Sequence, residues 1–201
     1  QPAAAAPAAP PDAGEPAESA PASLPVEIFR SAERGELQKV VKWLRKEGLV
    51  DALFPSAATR DGRISTDTLL KAAAGFGHLE LVRMLLKRGA SVDLQTSLGV
   101  TALNDAACYG HLSILLVLLQ HSANPDLQDI DGTTALMGAA GKGYEACVQA
   151  LLGAGANIEL RSKTGKTALL LAEAYGHTAT VELIRQHASC RSLGLGLALC
   201  A

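Results

Sequence analysis

The chain lacks closely paired cysteines, an excess of positive charge and a long apolar run, and it has few aromatic residues. Its four cysteines contain no C-x-x-C pair, which favours a reduced, intracellular compartment, and we expect the cytoplasm. Aromatic residues make up only 3% of the 201 residues, and a formal net charge of -2 gives no electrostatic reason to expect a nucleic-acid partner. No apolar run approaches the roughly 20 residues that cross a bilayer, so we expect no membrane insertion.

The segment 1–25 differs in composition from the rest of the chain. It contains seven of the nine prolines and ten alanines, and it has no Lys or Arg. Such a segment cannot bury a core, so we expect a disordered Pro/Ala-rich linker over 1–25. It also lacks the basic start and the unbroken apolar run of a signal peptide. Because the chain begins with Gln1, we interpret the sequence as a piece of a longer polypeptide.

One segment of the sequence occurs four times. The copies begin at Thr68, Thr101, Thr134 and Thr167, with a spacing of 33 residues each time. A fixed period of this size indicates a stack of small units that bury their apolar faces against one another. An array of this kind presents a surface and does not by itself build a reaction centre.

Each copy predicts two short helices. In the third copy, Thr134 is placed to cap a first helix over about 135–142, and Gly143 is placed to end it. A second helix is predicted over about 145–152, with its apolar residues at i, i+3 and i+4 on one face. Those residues are Val148, Leu151 and Leu152.

Together these features resemble the ankyrin-repeat family. The motif is Asp-x-x-Gly-x-Thr-Ala-Leu-x-x-Ala-Ala-x-x-Gly-His, followed by Leu-Leu-x-x-Gly-Ala, and it covers about 60–188. The resemblance implies an all-α solenoid of stacked helix-turn-helix units over 26–188, followed by a short tail over 189–201. We divide the solenoid into units at about 26–50, 60–93, 94–126, 127–159 and 160–188.

The chain departs from the family at one place in every copy. The family's Thr-Pro-Leu-His is Thr-Leu-Leu followed by Lys71 in the first copy, and Thr-Ala-Leu followed by Asn104, Met137 or Leu170 in the others. The proline and the hydrogen bond of the histidine are therefore missing. This departure predicts weaker anchoring between each turn and its helix.

The first unit is atypical. The segment 26–35 predicts a helix that ends in a breaker, Gly35, and Leu37–Leu44 predicts its partner helix. The distance from Gly35 to the next equivalent glycine is 42 residues, nine more than the period, and we assign the excess to a long loop over about 49–66. Terminal units differ because one face meets water, so we interpret 26–50 as an N-terminal capping unit.

No group of residues indicates catalysis, a metal or a cofactor. A G-x-S-x-G nucleophile motif and a glycine-rich phosphate-binding motif are both lacking. His78, His111 and His177 share one repeat position, so neighbouring copies would lie about 8–10 Å apart, whereas the ligands of one metal ion lie about 2 Å from it. We interpret them as family histidines at the start of the second helix, and we expect no enzyme activity.

Aromatic residues align at one repeat position. Phe76, Tyr109 and Tyr175 occupy it, with Lys142 in the third copy, and by family resemblance it lies near the concave side. Aligned rings on a groove are suitable anchors for a partner, and Asp105, one turn before Tyr109, would add a polar contact. The alternative is that each ring only covers the end of its own helix.

The turn tips form a second candidate surface. In the family that the sequence resembles, the tips and the adjacent first helices commonly contact partners. The tips change from neutral to acidic to basic along the array, and the residues that we select from them are Asp129, Asp131, Arg161 and Lys163. The alternative for each is a solvated tip without a partner.

We therefore interpret the chain as a non-catalytic scaffold or adaptor module. It would bind a protein or peptide partner through the concave face and the turn tips. Two other functions stay open: a regulatory domain of a larger enzyme or channel, and a structural spacer in a longer repeat array. The flanking sequence would discriminate among the three.

Overall fold

A computed structural model of the chain describes residues 24–47, 49–58 and 64–192. Within this part of the chain lie ten helices and one two-stranded sheet. The predicted linker over 1–25 lies outside the described residues except for its last two positions. None of the helices in the described ranges is both long and apolar enough to cross a membrane.

The helices are arranged in pairs that form two layers. The first-layer helices are α1 (Val26–Glu33), α3 (Leu69–Gly75), α5 (Ala102–Cys108), α7 (Ala135–Lys142) and α9 (Ala168–Ala174). The second-layer helices are α2 (Leu37–Glu47), α4 (Leu79–Lys87), α6 (Leu112–Gln120), α8 (Glu145–Gly153) and α10 (Thr178–Ser192). First-layer helices pack side by side in chain order, and each packs on its second-layer mate. The prediction of an all-α solenoid of stacked helix pairs is confirmed.

A threonine hydroxyl caps the N-terminus of four of the first-layer helices. The Oγ1 of Thr68 accepts a hydrogen bond from the backbone N–H of Lys71 at 3.0 Å, and Thr101 does the same for Asn104 at 3.2 Å. Thr134 and Thr167 repeat the contact at 3.3 Å. Each hydroxyl satisfies an amide that has no partner within its helix. The predicted capping role of these threonines is confirmed.

At one of these caps a second side chain accepts a hydrogen bond from the backbone of the capping residue. Asn104 is buried, and its Oδ1 accepts a hydrogen bond from the backbone N–H of Thr101 at 3.0 Å. Each residue thus bonds the backbone of the other, which is the capping-box arrangement. In this repeat an amide thus completes the cap, and the weaker anchoring between turn and helix stays a prediction.

The core is a continuous cluster between the two layers. First-layer helices contribute small residues such as Ala73, Ala106 and Ala139, each fully buried, so that neighbouring backbones approach closely. Second-layer helices contribute the larger residues, of which Leu118 and Leu151 are also fully buried. The spacing of apolar residues in the sequence therefore corresponds to the buried face of each helix pair.

The segment between α2 and α3 corrects the predicted long loop over about 49–66. It contains an antiparallel pair, β1 (Leu53–Ala58) and β2 (Ile64–Thr68). Pro55 indicated a loop, but a two-stranded sheet has only edge strands, where proline is tolerated. Phe54 of β1 stacks on Phe29 of α1 with ring centroids 4.3 Å apart, so the hairpin packs on the capping unit.

Two helices extend further than predicted. Helix α2 was predicted to end at Leu44 and continues to Glu47. Helix α10 reaches Ser192, so the first four residues of the predicted tail over 189–201 continue the last helix. Neither extension contains glycine or proline, and without a breaker a helix continues past its repeat boundary.

Candidate functional site

Three exposed rings lie at equivalent ends of the first-layer helices. Phe76, Tyr109 and Tyr175 follow the last residues of α3, α5 and α9, and they are 58%, 60% and 64% exposed. Lys142, which is also exposed, is the last residue of α7 at the same repeat position. We call these four residues the ring row. Phe76, Tyr109 and Tyr175 thus each keep more than half of their surface exposed to water.

Two members of the ring row line one cleft. Phe76 and Tyr109 lie on the wall of a cleft of about 410 Å³ between the first two full repeats and the capping unit. Charged side chains form much of the remaining lining: Glu33, Asp67, Lys71 and Asp105. The structure therefore brings together Phe76, Tyr109 and Asp105 of the predicted site residues. Among the described residues that line this cleft, none comes from the turn tips.

An ion triad lies at the base of this cleft. The Nζ of Lys71 is 2.7 Å from Oδ1 of Asp67 and 3.2 Å from Oδ2 of Asp105. The side chains of the triad are only 14–20% exposed. A methyl group built on Gly75 would lie 3.1 Å from Oδ2 of Asp105, so the glycine leaves room for this carboxylate. Because Lys71 and Asp105 come from neighbouring repeats, the triad joins two units.

The triad shifts the pKa values of two of its members. Burial favours the neutral form of Lys71, but attraction and hydrogen bonding from Asp105 and Asp67 outweigh burial and raise the pKa of Lys71. Burial also raises the pKa of the Asp105 carboxyl, and repulsion from Asp67 adds to the effect, although Lys71 opposes it. One ammonium group is thus shared by two carboxylates, and it lies closer to Asp67.

We expect Lys71→Met to lower the free energy of unfolding by about 1–3 kcal/mol at pH 7, because two partly buried carboxylates lose their counter-ion. The deficit should shrink as the pH falls through the raised pKa of Asp105, since neutral carboxyl groups need no counter-ion. Urea unfolding at several pH values measures both effects. The exposed Lys163→Met is the control, with an expected change within ~0.5 kcal/mol. Equal stability of both variants at pH 7 would show that the triad contributes nothing.

The repeated histidines bind backbone carbonyl groups. His78 Nε2 lies 2.6 Å from the carbonyl oxygen of Glu33, and His111 Nε2 lies 3.0 Å from that of Gly75. His177 makes the same contact to Gly141 at 3.2 Å. A carbonyl oxygen only accepts, so each ring donates from Nε2 and joins the start of a second helix to the preceding unit. The interpretation of these histidines as residues at the start of second helices is confirmed.

The turn tips are joined to one another by glutamine side chains. Gln95 Nε2 donates to the carbonyl oxygens of Gly99 at 2.8 Å and Gln128 at 3.1 Å. One repeat later, Gln128 Nε2 donates to Gly132 at 2.7 Å and Arg161 at 3.0 Å. Each glutamine thus closes its own turn and contacts the next one. Their side-chain amides are engaged within the array.

The four selected tip residues differ in their roles. The Oδ1 of Asp129 accepts hydrogen bonds from the backbone N–H groups of Asp131 at 2.9 Å and Thr133 at 2.8 Å, so this carboxylate shapes its own turn. Asp131, Arg161 and Lys163 are exposed. The backbone carbonyl of Asp131 accepts from the N–H of Lys163 at 2.8 Å, which fixes the spacing of the acidic and basic tips.

Sequence reasoning missed three charged residues of the cleft. Asp67 and Lys71 are four positions apart, a spacing that favours an ion pair at a helix start and could have been recognised. Glu33 lies in the divergent capping unit, where no repeat register indicated its neighbours. Its position in the cleft depends on the stacking of α1 on α3.

Two layers of short helices, repeated at a fixed period with linked turn tips, define a helical-repeat solenoid. The family model described as "Ankyrin repeats (3 copies)" matches residues 28–129 and 122–192. The chain belongs to the ankyrin-repeat family. The comparison with curated proteins yielded no match. Ankyrin repeats are generally protein–protein interaction modules and are typically not enzymes.

Proposed function

We propose that the chain is a non-catalytic adaptor or scaffold module that binds a protein or peptide along the ring row and the exposed turn tips. The observation that carries this proposal is the exposure of Phe76, Tyr109 and Tyr175, each more than half in water at one repeat position. Three of the seven aromatic residues of the chain are thus placed on the surface in register.

The surroundings of these rings support a binding role. Aromatic side chains are the residues most often found to dominate interfaces, because they bury much area with few rotatable bonds. Phe76 and Tyr109 follow first-layer helices that pack on two neighbouring first-layer helices, and Tyr175 follows α9, which packs on α7. The backbone at each ring is therefore held in place before a partner binds. A pre-organised row reduces the entropy that association costs. The exposed acidic and basic tips, Asp131 and Lys163, lie in the turns before the first-layer helices and would supply charge contacts at the opposite ends of these helices from the row.

We expect Tyr109→Ala to weaken partner binding by more than ~1 kcal/mol, because the variant removes a central anchor of the ring row. Its stability should change little, since the ring is 60% exposed. The matched control is Gln149→Ala, an exposed residue of the second-layer helix α8. A pull-down with the wild type and both variants, followed by affinity measurement on the recovered partner, makes the comparison. Equal recovery of every partner by all three proteins would contradict the proposal.

A further inference from the structure

The cleft beside Phe76 and Tyr109 has an excess of negative charge. Glu33, Asp67 and Asp105 contribute three carboxylates, and Lys71 contributes the one cation of the described lining. The Lys71 ammonium already contacts two of the carboxylates. Glu33 forms no ion pair with another described residue, and its backbone carbonyl accepts a hydrogen bond from His78. The described lining therefore has a formal charge of -2 and accommodates a further cation.

Phe76 and Tyr109 line the same cleft from neighbouring helices, and the usual helix spacing suits a cation between them. They end neighbouring first-layer helices, and packed helices lie about 8–10 Å apart. A cation midway would lie about 4–5 Å from each ring, within the range of about 6 Å over which an aromatic face attracts a cation. The carboxylate of Asp105 lies one helical turn before Tyr109 and lines the same cleft. The two rings and the carboxylates thus line one cleft.

We propose that this cleft is a subsite for an arginine side chain of the partner, with the guanidinium between Phe76 and Tyr109 and paired with Asp105 and Glu33. The inference rests on the proposed function and specifies the chemistry of the partner. A guanidinium stacks on aromatic rings and pairs with carboxylates through a planar fork of donors, which suits both parts of the cleft better than an ammonium group. A neutral apolar side chain would remove water from the carboxylates without compensation, and an acidic one would be repelled.

Asp67, Lys71 and Asp105 form a combination of charges that occurs beside one pair of repeats in the array. Two repeats later, the positions of Asp67, Lys71 and Asp105 are occupied by Thr133, Met137 and Leu171. Tyr175 is therefore an exposed ring of the same row without these three charged neighbours. It provides a position-matched internal control within the same chain.

The test uses two small probes on the full chain. N-acetyl-arginine methylamide carries the cation, and the corresponding citrulline compound has nearly the same shape without the charge. Aromatic resonances of Phe76, Tyr109 and Tyr175 are followed by NMR as each probe is added. We expect saturable shifts of the Phe76 and Tyr109 rings with arginine, about ten-fold weaker binding of citrulline, and no saturable shift of Tyr175. Asp105→Asn and, separately, Glu33→Gln should each weaken the arginine response.

Equal responses to the two probes, or an equal shift of Tyr175, would overturn the arginine subsite. This failure is distinguishable from failure of the proposed function. If Tyr109→Ala reduces partner recovery but arginine gives no selective shift, the ring row binds a partner of other chemistry and the subsite is wrong. If arginine shifts Phe76 and Tyr109 selectively but partner recovery is unchanged in Tyr109→Ala, the cation site stands and the proposed binding role of the row is wrong.

Discussion

Replacing Leu118 with alanine is expected to lower the free energy of unfolding by about 2–5 kcal/mol. Leu118 is fully buried in α6, the second-layer helix of the central unit. Helix α6 packs on α4 and α8 as well as on α5, so neighbours on three sides limit how far the cavity can collapse. Because stability is shared along a stacked array, a cavity in the central unit weakens two interfaces at once.

Urea unfolding followed by circular dichroism measures this loss. The matched control is Leu116→Ala, two residues earlier on the same helix, where the leucine is 43% exposed. The control should lose less than ~1 kcal/mol, because it removes less buried apolar surface and leaves no closed cavity. A loss below ~1 kcal/mol for Leu118→Ala, or equal losses for the two variants, would mean that the buried face of α6 is wrongly assigned.

The regular part of the fold was predictable because the period encodes it. Threonine caps, glycine breakers and apolar spacing recur every 33 residues. A helix boundary that is ambiguous in one copy can therefore be assigned from the other copies. The structure places Thr68, Thr101, Thr134 and Thr167 at helix starts, as the register predicted. Local rules for helix ends were sufficient here, since they all point to the same boundaries.

The hairpin after the capping unit was not predictable in this way. It occurs once, so no second copy supports it, and Pro55 indicated a loop. Its packing depends on the stacking of Phe29 on Phe54, a contact between two elements that no local pattern displays. Strand pairing of this kind is decided by tertiary contacts more than by intrinsic preference.

The candidate site was likewise predictable only in part. The alignment of Phe76, Tyr109 and Tyr175 followed from the register alone. The ion triad did not, because Lys71 and Asp105 come from different units and meet only when the units stack. Asp105 was selected for its place beside Tyr109, and its partnership with Lys71 became visible only in three dimensions.

Replacing Gly132, which lies in a turn tip, with alanine is expected to lower the free energy of unfolding by about 2–4 kcal/mol. Gly132 has a φ of 75°, a conformation that alanine adopts with strain. A methyl group built on it would lie 3.0 Å from the backbone nitrogen of Lys163 and 3.1 Å from Cα of Ser162. These are backbone atoms of the next tip, and they cannot rotate away as a side chain would.

Gly165→Ala separates the effect of backbone strain from the effect of the close contact with the next tip. Gly165 occupies the same repeat position one unit later with a φ of 74°, but no heavy atom lies within 4 Å of a methyl group built there. Both variants therefore carry the same backbone strain of about 1–2 kcal/mol, and only Gly132→Ala forces two tips apart. Chemical denaturation of both variants should show a difference of at least ~1 kcal/mol.

Equal losses for the two glycine variants would mean that neighbouring tips are free to separate. That result would bear on binding as well as on stability, because the proposed tip surface requires Asp131 and Lys163 at a fixed distance. The N–H of Lys163 donates to the carbonyl of Asp131 at 2.8 Å, next to the contact that Gly132 allows. A larger loss for Gly132→Ala would show that this spacing is held by close backbone packing, so that the charged groups are ordered before a partner binds.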